Sequence, residues 1–231
     1  MLQVEHLTKR YGAVTAVDDL SFEIAGAGVY GFLGPNGAGK STTMNIMTGC
    51  LSATRGTVKI SGYDIYEDPR EAKRRVGYLP EQPPLYLGET PLEYLRFVGE
   101  AKGVRGSELK RQIDAVVDET GIGDMENRRI SALSKGYRQR VGIAQALLGE
   151  PDTVILDEPT VGLDPIQILE IRALIASLGK SRTVLISSHI LGELEKIATH
   201  YGIIRQGKMV QELSAADLEG RARNADKAVT V

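Results

Sequence analysis

One stretch constrains the fold of this chain more than any other: Gly34-Pro35-Asn36-Gly37-Ala38-Gly39-Lys40-Ser41-Thr42. It follows an apolar run at residues 29–33 and precedes a segment with helical spacing at residues 43–47. A strand, a glycine-rich loop and a helix in this order predict a loop that wraps phosphate groups with its backbone N–H groups. Glycines permit the positive φ values and the close backbone approach that such a loop requires.

Two side chains at the end of this loop complete the expected phosphate site. We expect Lys40 to reach the β- and γ-phosphates of a nucleotide and the Ser41 hydroxyl to bind Mg²⁺. The helix that begins near Lys40 also presents unpaired N–H groups and a partial positive charge. The alternative is a chance match in a glycine-rich chain, and the flanking strand and helix patterns argue against it.

Composition and charge fit an ordinary globular domain. The chain has 231 residues, of which 42% are hydrophobic and 25% are charged, which is enough for one domain. The formal net charge of −2 argues against a general nucleic-acid binder, which would usually be basic. The single cysteine, Cys50, excludes a disulfide within the chain and is expected to be a small buried residue.

Neither a signal peptide nor a membrane span is evident in the sequence. Residues 1–6 alternate like a strand and lack the charged and apolar regions of a signal peptide. Apolar runs of about 18 residues, the length that spans a membrane, do not occur. These features favour a cytoplasmic, reducing setting.

Hydrophobic periodicity divides the chain into strand-rich and helix-rich parts. Residues 1–24 predict two strands, whereas residues 91–149 carry helical patterns and predict a helical subdomain inserted in an α/β core. A helix and a polar tail are expected at residues 214–231. Further buried strands are predicted at residues 75–79, 153–156 and 183–187.

The predicted strand at residues 153–156 ends in two carboxylates, Asp157 and Glu158. In a P-loop protein, an acid at the end of such a strand holds Mg²⁺ through water, which suits Asp157. Glu158 would then orient or deprotonate an attacking water. The alternative is a solvated pair of acids at the end of a strand.

Three other positions leave two interpretations open. Tyr11 is either a half-exposed tyrosine at the end of a strand or an aromatic platform for a nucleotide base. The helix after Ser134, which carries Gly136, is either a capped basic helix or a second anion site. His189 follows a core strand at the edge where open α/β sheets bind ligands, although a lone histidine is more often structural.

Taken together, these residues resemble the nucleotide-binding subunit of an ABC transporter over residues 1–220. The resemblance rests on six features that occur in the family's order. They are the base-stacking aromatic (Tyr11), Walker A (34–42), the Q-loop (80–82), the signature loop (133–137), Walker B with its glutamate (154–158) and the switch histidine (His189).

The resemblance implies an α/β fold. A P-loop NTPase core with a mostly parallel sheet would carry an N-terminal antiparallel β subdomain and an inserted α-helical subdomain at residues 86–140, within one domain over residues 1–231. It also implies an ATPase that uses ATP and Mg²⁺. The family's roles then fall on three groups: catalysis at Lys40, Glu158 and His189; nucleotide contacts at Tyr11, residues 34–42, Ser134 and Gly136; metal contacts at Ser41, Asp157 and Glu81.

Partners are implied by the same resemblance. Two subunits of the family bind head to tail, so Ser134 and Gly136 would contact the γ-phosphate of an ATP held by the other subunit. The expected partners are a second copy or a homologous ATPase subunit and an integral membrane permease, with no nucleic acid. The chain would lie in the cytoplasm, on the inner face of the cell membrane, and would contact the permease through about residues 81–140.

Three positions depart from the family pattern. The signature loop reads Leu-Ser-Lys-Gly-Tyr instead of Leu-Ser-Gly-Gly-Gln, so Lys135 adds a positive charge that would suit phosphate binding. Glu81 stands where the Q-loop glutamine is usual, with Gln82 beside it, and an acid there favours a metal contact. The D-loop, which includes Asp164, begins with Val161 where a small polar residue is common.

The sequence is compatible with three functions. The signature helix resembles that of a bacterial export-type, two-gene group of transporters, which favours export and leaves the cargo open. The alternative is a soluble ABC-type ATPase that acts on nucleic acid, ribosomes or protein complexes, whose members usually carry a zinc motif, a coiled-coil insertion or two fused ATPase domains. A third possibility is a regulatory module that binds nucleotide without hydrolysis, against which Lys40, Asp157, Glu158 and His189 argue.

Overall fold

The structure is a computed structural model that describes residues 1–217. The strands in this part of the chain are β1 (Leu2–Tyr11), β2 (Val14–Ile24), β3 (Gly28–Leu33), β4 (Arg55–Ile60), β5 (Tyr63–Asp64), β6 (Val76–Leu79), β7 (Thr153–Leu156), β8 (Thr183–Ser188), β9 (His200–Arg205) and β10 (Lys208–Ser214). The helices are α1 (Lys40–Met47), α2 (Pro69–Arg74), α3 (Pro91–Ala101), α4 (Gly106–Thr120), α5 (Lys135–Leu147), α6 (Pro165–Leu178) and α7 (Leu191–Leu194).

The larger sheet has six strands in the order β10-β9-β3-β8-β7-β6. All neighbouring pairs are parallel except β9 and β10, which form an antiparallel hairpin. Every residue of β7 and β8 is buried, because helices or the second sheet cover both faces. The expected mostly parallel core is thereby confirmed.

A second sheet, in the order β2-β1-β4-β5, is entirely antiparallel and packs over α1. The core between the two sheets contains Leu20 from β2, Phe32 from β3, and Met44 and Ile46 from α1. This layer confirms the N-terminal antiparallel subdomain. It also fixes the helix that follows the glycine-rich loop, because α1 is packed between the sheets.

The inserted helical subdomain consists of α3, α4 and α5. The helix α3 begins with a capping box, in which the Thr90 hydroxyl accepts from the Glu93 amide and the Glu93 carboxylate accepts from the Thr90 amide. The helix α4 ends at Gly121, whose φ of 63° suits glycine. Buried apolar residues then join the three helices to the core of the larger sheet.

Two expectations need correction or restriction. Cys50 is exposed rather than buried, because Gly49, with a φ of 67°, turns the chain to the surface after α1. Ser214 belongs to β10 and not to a helix, and residues 215–217 are helical. The remainder of the helix and tail predicted at residues 214–231 lies outside the described residues.

Candidate functional site

Four loops meet at the carboxyl edge of the larger sheet. The glycine-rich loop follows β3, Glu81 follows β6, Glu158 follows β7 and His189 follows β8. Because these strands are parallel neighbours, their ends converge on one side of the sheet, where open α/β sheets bind ligands. The loops surround a cleft of about 360 Å³, lined by Ala16, Asn36, Gly37, Gly39, Lys40, Ser41, Thr42, Glu81, Glu158, Val161 and His189.

The glycine-rich loop leaves room for an anion and depends on its glycines. Gly39, the residue before α1, has a φ of 105°, and a Cβ there would lie 2.5 Å from the Ala16 carbonyl oxygen. Gly37 has a φ of 77°, and a Cβ there would meet no atom within 4 Å, so this part of the loop faces open space. The amide groups at the start of α1 border the same space, which suits bound phosphate.

Lys40 lies inside the cleft with only 5% of its surface exposed. Its Nζ atom donates a 2.7 Å hydrogen bond to the Gly34 carbonyl oxygen and lies 3.2 Å from Oε1 of Glu158. The ammonium is thus held between the start of the loop and the acid that follows β7. A bound phosphate would compete with these oxygens for the same cation.

Glu158 and His189 form the second part of the cleft. Oε2 of Glu158 lies 3.0 Å from Nδ1 of His189, although the two residues follow different strands. The Glu158 backbone has a φ of 46°, a conformation that a non-glycine residue adopts at a cost. Its buried Oε1 atom pairs with the charge of Lys40 at 3.2 Å but accepts no well-aligned hydrogen bond from the described residues. That oxygen is an acceptor available to a ligand or water.

Ser187 holds both acids of the Walker B segment and was not singled out from the sequence. Its buried hydroxyl donates a 2.6 Å hydrogen bond to Oδ1 of Asp157 and accepts a 2.7 Å bond from the Glu158 amide. The pairing of Leu156 with Ile186 places the following residues, Asp157 and Ser187, side by side. A polar residue at the end of the strand adjacent to Walker B was the signal that sequence reasoning overlooked.

The expected metal ligands differ in how far they lie from the cleft. Ser41 and Glu81 line the cleft, whereas Asp157 is 2% exposed and does not line it. Gln82 is not part of the lining, so Glu81, and not its neighbour, borders the cleft. Within residues 1–217 no cluster of three or more His, Cys, Asp or Glu side chains is arranged to hold a metal. Mg²⁺ usually needs only one or two carboxylates together with water and phosphate, so this donor set fits it.

Tyr11 lies on the hairpin between β1 and β2, and half of its surface is exposed. The Lys9 ammonium lies 5.1 Å from the centre of its ring. Tyr11 is not part of the cleft lining, but Ala16, farther along β2, is. An exposed aromatic ring of this kind suits stacking on a base.

Ser134 and Gly136 do not line this cleft. Ser134 is the exposed N-cap of α5, and its hydroxyl accepts a 3.3 Å hydrogen bond from the Tyr137 amide. The Tyr137 hydroxyl donates to Asp124, and this bond raises its pKa. The structure therefore brings Lys40, Ser41, Glu81, Glu158 and His189 together, and it separates Ser134 and Gly136 from them.

Comparisons with known proteins identify this arrangement. The family described as ABC transporter matches residues 17–161, more than half of the chain. The bacitracin transport ATP-binding protein BcrA of Bacillus licheniformis is 40% identical over 225 residues, which cover 96% of this chain and 72% of that protein. The chain belongs to the ABC transporter family. It is an ATP-binding, ABC-type ATPase.

Two further comparisons agree with this assignment of the ABC ATPase. The lantibiotic transport ATP-binding protein SrtF of Streptococcus pyogenes is 39% identical over 213 residues, covering 92% of this chain and 90% of that protein. A bacterial ABC transporter cassette solved as a dimer superposes with a TM-score of 0.83 at 25% identity, covering 93% of this chain and 99% of that chain. The P-loop NTPase fold and the mixed sheet arrangement are therefore those of the family.

In this ABC ATPase the signature loop packs against the D-loop of its own chain. Asp164 caps α6 by accepting a 2.9 Å hydrogen bond from the Gln167 amide. A Cβ at Gly136 would lie 2.8 Å from the Gln167 side chain, so glycine permits the close contact. The Lys135 ammonium rests on Gly162, where any side chain would collide with it. No helix within residues 1–217 is long and apolar enough to cross a membrane.

Proposed function

We propose that this chain hydrolyses ATP as one half of a head-to-tail dimer and thereby drives export through a separate membrane permease. One observation carries the proposal. Lys40, Glu158 and His189 meet in one cleft, whereas Ser134 and Gly136 lie outside it. Each chain then supplies Walker A to one site and the signature loop to the other.

The chemistry at the cleft is the transfer of the γ-phosphoryl group to water. Glu158 accepts a hydrogen bond from the attacking water and orients it, since the buried Oε1, although 3.2 Å from the Lys40 ammonium, accepts no hydrogen bond from the described residues. The bond from the water oxygen to phosphorus forms while the bond to the ADP oxygen breaks. Lys40 and the amides of the loop stabilise the negative charge on the phosphate oxygens. His189, bonded to Glu158, reaches the γ-phosphate from the next strand.

Mg²⁺ would be held by the oxygens of Ser41, Asp157 and Glu81. Ser41 and Glu81 border the cleft directly, and Asp157 is fixed behind it by Ser187. When bound, the metal supplies further positive charge to the phosphate oxygens. The Glu81 carboxylate adds one negative charge beside the cleft. This charge attracts a metal cation and would repel a phosphate bound without one.

Exposure of the signature residue supports the dimer. Ser134 is exposed at the N-terminus of α5, beside the exposed Lys135 side chain, so both are accessible to a second subunit. The superposable cassette of a relative is itself a dimer. Two copies related by a two-fold axis would each complete the nucleotide site of the other.

An apolar surface on the helical subdomain supports a permease partner. Tyr86, Leu87 and Phe97 are each about half exposed, at 51%, 50% and 50%. The rings of Tyr86 and Phe97 lie 5.2 Å apart and form one patch. Exposed apolar groups that cluster in this way mark a site of protein contact. The relatives named for bacitracin and lantibiotic transport favour a transporter over an ATPase that acts on nucleic acid.

ATP turnover of this chain together with a membrane permease that co-purifies with it tests the proposal. The two proteins should co-purify, and the complex should release phosphate in the presence of Mg²⁺-ATP. Lys40→Ala should abolish release and weaken nucleotide binding by roughly tenfold or more, because it removes charge-assisted hydrogen bonds to phosphate. Lys196→Ala, which changes an exposed lysine far along the chain, is the matched control and should behave as wild type. Unchanged nucleotide titration and kinetics for Lys40→Ala would contradict the proposal.

A further inference from the structure

Glu193 joins the two loops that carry Glu158 and His189, yet it does not line the nucleotide cleft. Its Oε2 atom accepts a 2.7 Å hydrogen bond from the Thr160 hydroxyl and a 3.2 Å bond from the Ser188 hydroxyl. Thr160 and Ser188 are buried, with 4% and 1% of their surfaces exposed. Two buried hydroxyls that share one carboxylate oxygen are held more tightly than neutral hydrogen bonds would hold them.

The two hydroxyls belong to residues that lie close in the chain to Glu158 and His189. Thr160 stands two residues after Glu158, in the turn where the Val161 amide donates to the Glu158 carbonyl oxygen at 3.2 Å. Ser188 immediately precedes His189. Glu193 therefore closes a ring that runs from Glu158 through Thr160 and Ser188 to His189 and returns across the 3.0 Å contact.

The scaffold behind Glu193 is fixed. The next residue, Leu194, is fully buried and packs closely on Gly31 of β3. A Cβ added at Gly31 would lie 2.7 Å from the Leu194 side chain. Arg172 of α6 donates a 3.4 Å hydrogen bond to the Gly192 carbonyl oxygen. The backbone that carries the Glu193 carboxylate is therefore fixed, and the carboxylate can hold the two loops in place.

We propose that Glu193 is a positioning residue for hydrolysis, which sets the distance between Glu158 and His189 through Thr160 and Ser188. The inference rests on the proposed function, since it assumes that Glu158 and His189 act at the γ-phosphate. Loss of Glu193 leaves the phosphate loop intact and frees the turn that carries Glu158. The effect falls on the rate of the chemical step, because a small displacement of a catalytic group slows it strongly.

Steady-state kinetics and nucleotide binding of the permease complex test this role. Glu193→Ala and the isosteric Thr160→Val should each lower kcat about tenfold, which corresponds to about 1.4 kcal/mol in the barrier, with an unchanged Kd for ADP. The double variant should be no slower than Glu193→Ala alone, because Glu193→Ala already removes the hydrogen bond that Thr160→Val removes. Thr160→Ser keeps the hydroxyl and should retain the wild-type kcat. Glu195→Ala, which changes an exposed glutamate two residues along the chain, is the matched control.

Three outcomes would overturn the inference. They are a wild-type kcat in Thr160→Val, a loss of kcat in Thr160→Ser equal to that in Thr160→Val, and a weakened ADP affinity that accounts for the whole effect. A lower melting temperature with a wild-type kcat in these variants would show that the Glu193 hydrogen bonds contribute to stability alone. Glu158→Gln in the same assay separates this inference from the function itself. If Glu158→Gln stops turnover while Thr160→Val does not affect it, the role of Glu193 fails and the proposed function stands.

Discussion

The Ser187 hydroxyl lies 2.6 Å from Oδ1 of Asp157 and donates a hydrogen bond to it inside the protein. The Ser187 hydroxyl oxygen also accepts a hydrogen bond from the Glu158 amide, so one small side chain orients the proposed metal ligand and the backbone of the proposed base. Both partners are buried, which makes the loss of this hydroxyl costly.

Ser187→Ala should therefore lower both stability and turnover. It leaves a buried carboxylate oxygen and a buried amide without their partner, at a cost of about 1–3 kcal/mol for each group. Thermal unfolding followed by circular dichroism should show a melting temperature several degrees lower, and phosphate release should slow. Ser181→Ala, an exposed serine in the same part of the chain, should change neither. A wild-type melting temperature and rate for Ser187→Ala would contradict this account of the Walker B segment.

Gly39→Ala should disrupt the phosphate loop. The new Cβ would lie 2.5 Å from the Ala16 carbonyl oxygen, in a backbone with a φ of 105°, and strain of this kind costs about 1–3 kcal/mol. Isothermal titration with ADP should show strongly reduced affinity. Gly88→Ala, where a Cβ meets no atom within 4 Å, should bind ADP as wild type does. Equal affinities for the two variants would refute the assigned loop geometry.

Substitutions of Tyr11 test the base platform separately from the phosphate site. Tyr11→Ala should weaken ADP binding by about 1–3 kcal/mol, the usual contribution of one base stacked on an aromatic ring. Tyr11→Phe retains the ring and should bind nearly as wild type. Inorganic triphosphate, which has no base, should bind all three proteins equally. If Tyr11→Ala weakens triphosphate and ADP alike, the ring acts on the loop and not on a base.

Local patterns were sufficient to predict the framework of the site. Gly34 to Thr42 and the acids after residues 153–156 follow apolar strands, and parallel strands bring such ends to one edge. The capping residue Ser134 was also predicted, because a helix start is a local feature of the sequence. The placement of Glu81 rather than Gln82 at the cleft needed the structure.

Long-range contacts and backbone irregularities escaped prediction. Glu193 meets Thr160 across 33 positions in the sequence, so no local pattern indicates their contact. His6, expected to continue the alternation of Leu2 and Val4, is exposed, because a bulge with a φ of 50° shifts the register of β1 and buries Leu7 instead. Such shifts depend on pairing with neighbouring strands, which the sequence does not display.

The central claim is that two copies complete each nucleotide site, with Walker A from one and the signature loop from the other. Glu158→Gln keeps the shape of the side chain and removes the base, so it should bind ATP without turning it over and accumulate as an ATP-bound dimer. Adding Ser134→Ala to this variant should remove the dimer and leave ADP affinity unchanged, because Ser134 lies outside the cleft of its own chain.

Light scattering coupled to size-exclusion chromatography in Mg²⁺-ATP tests this claim most directly. Glu158→Gln should elute as a dimer of the 25.0 kDa chain with unhydrolysed ATP, and Glu158→Gln with Ser134→Ala should elute as a monomer. Wild-type turnover in Glu158→Gln, or equal dimerisation of the two variants, would contradict it.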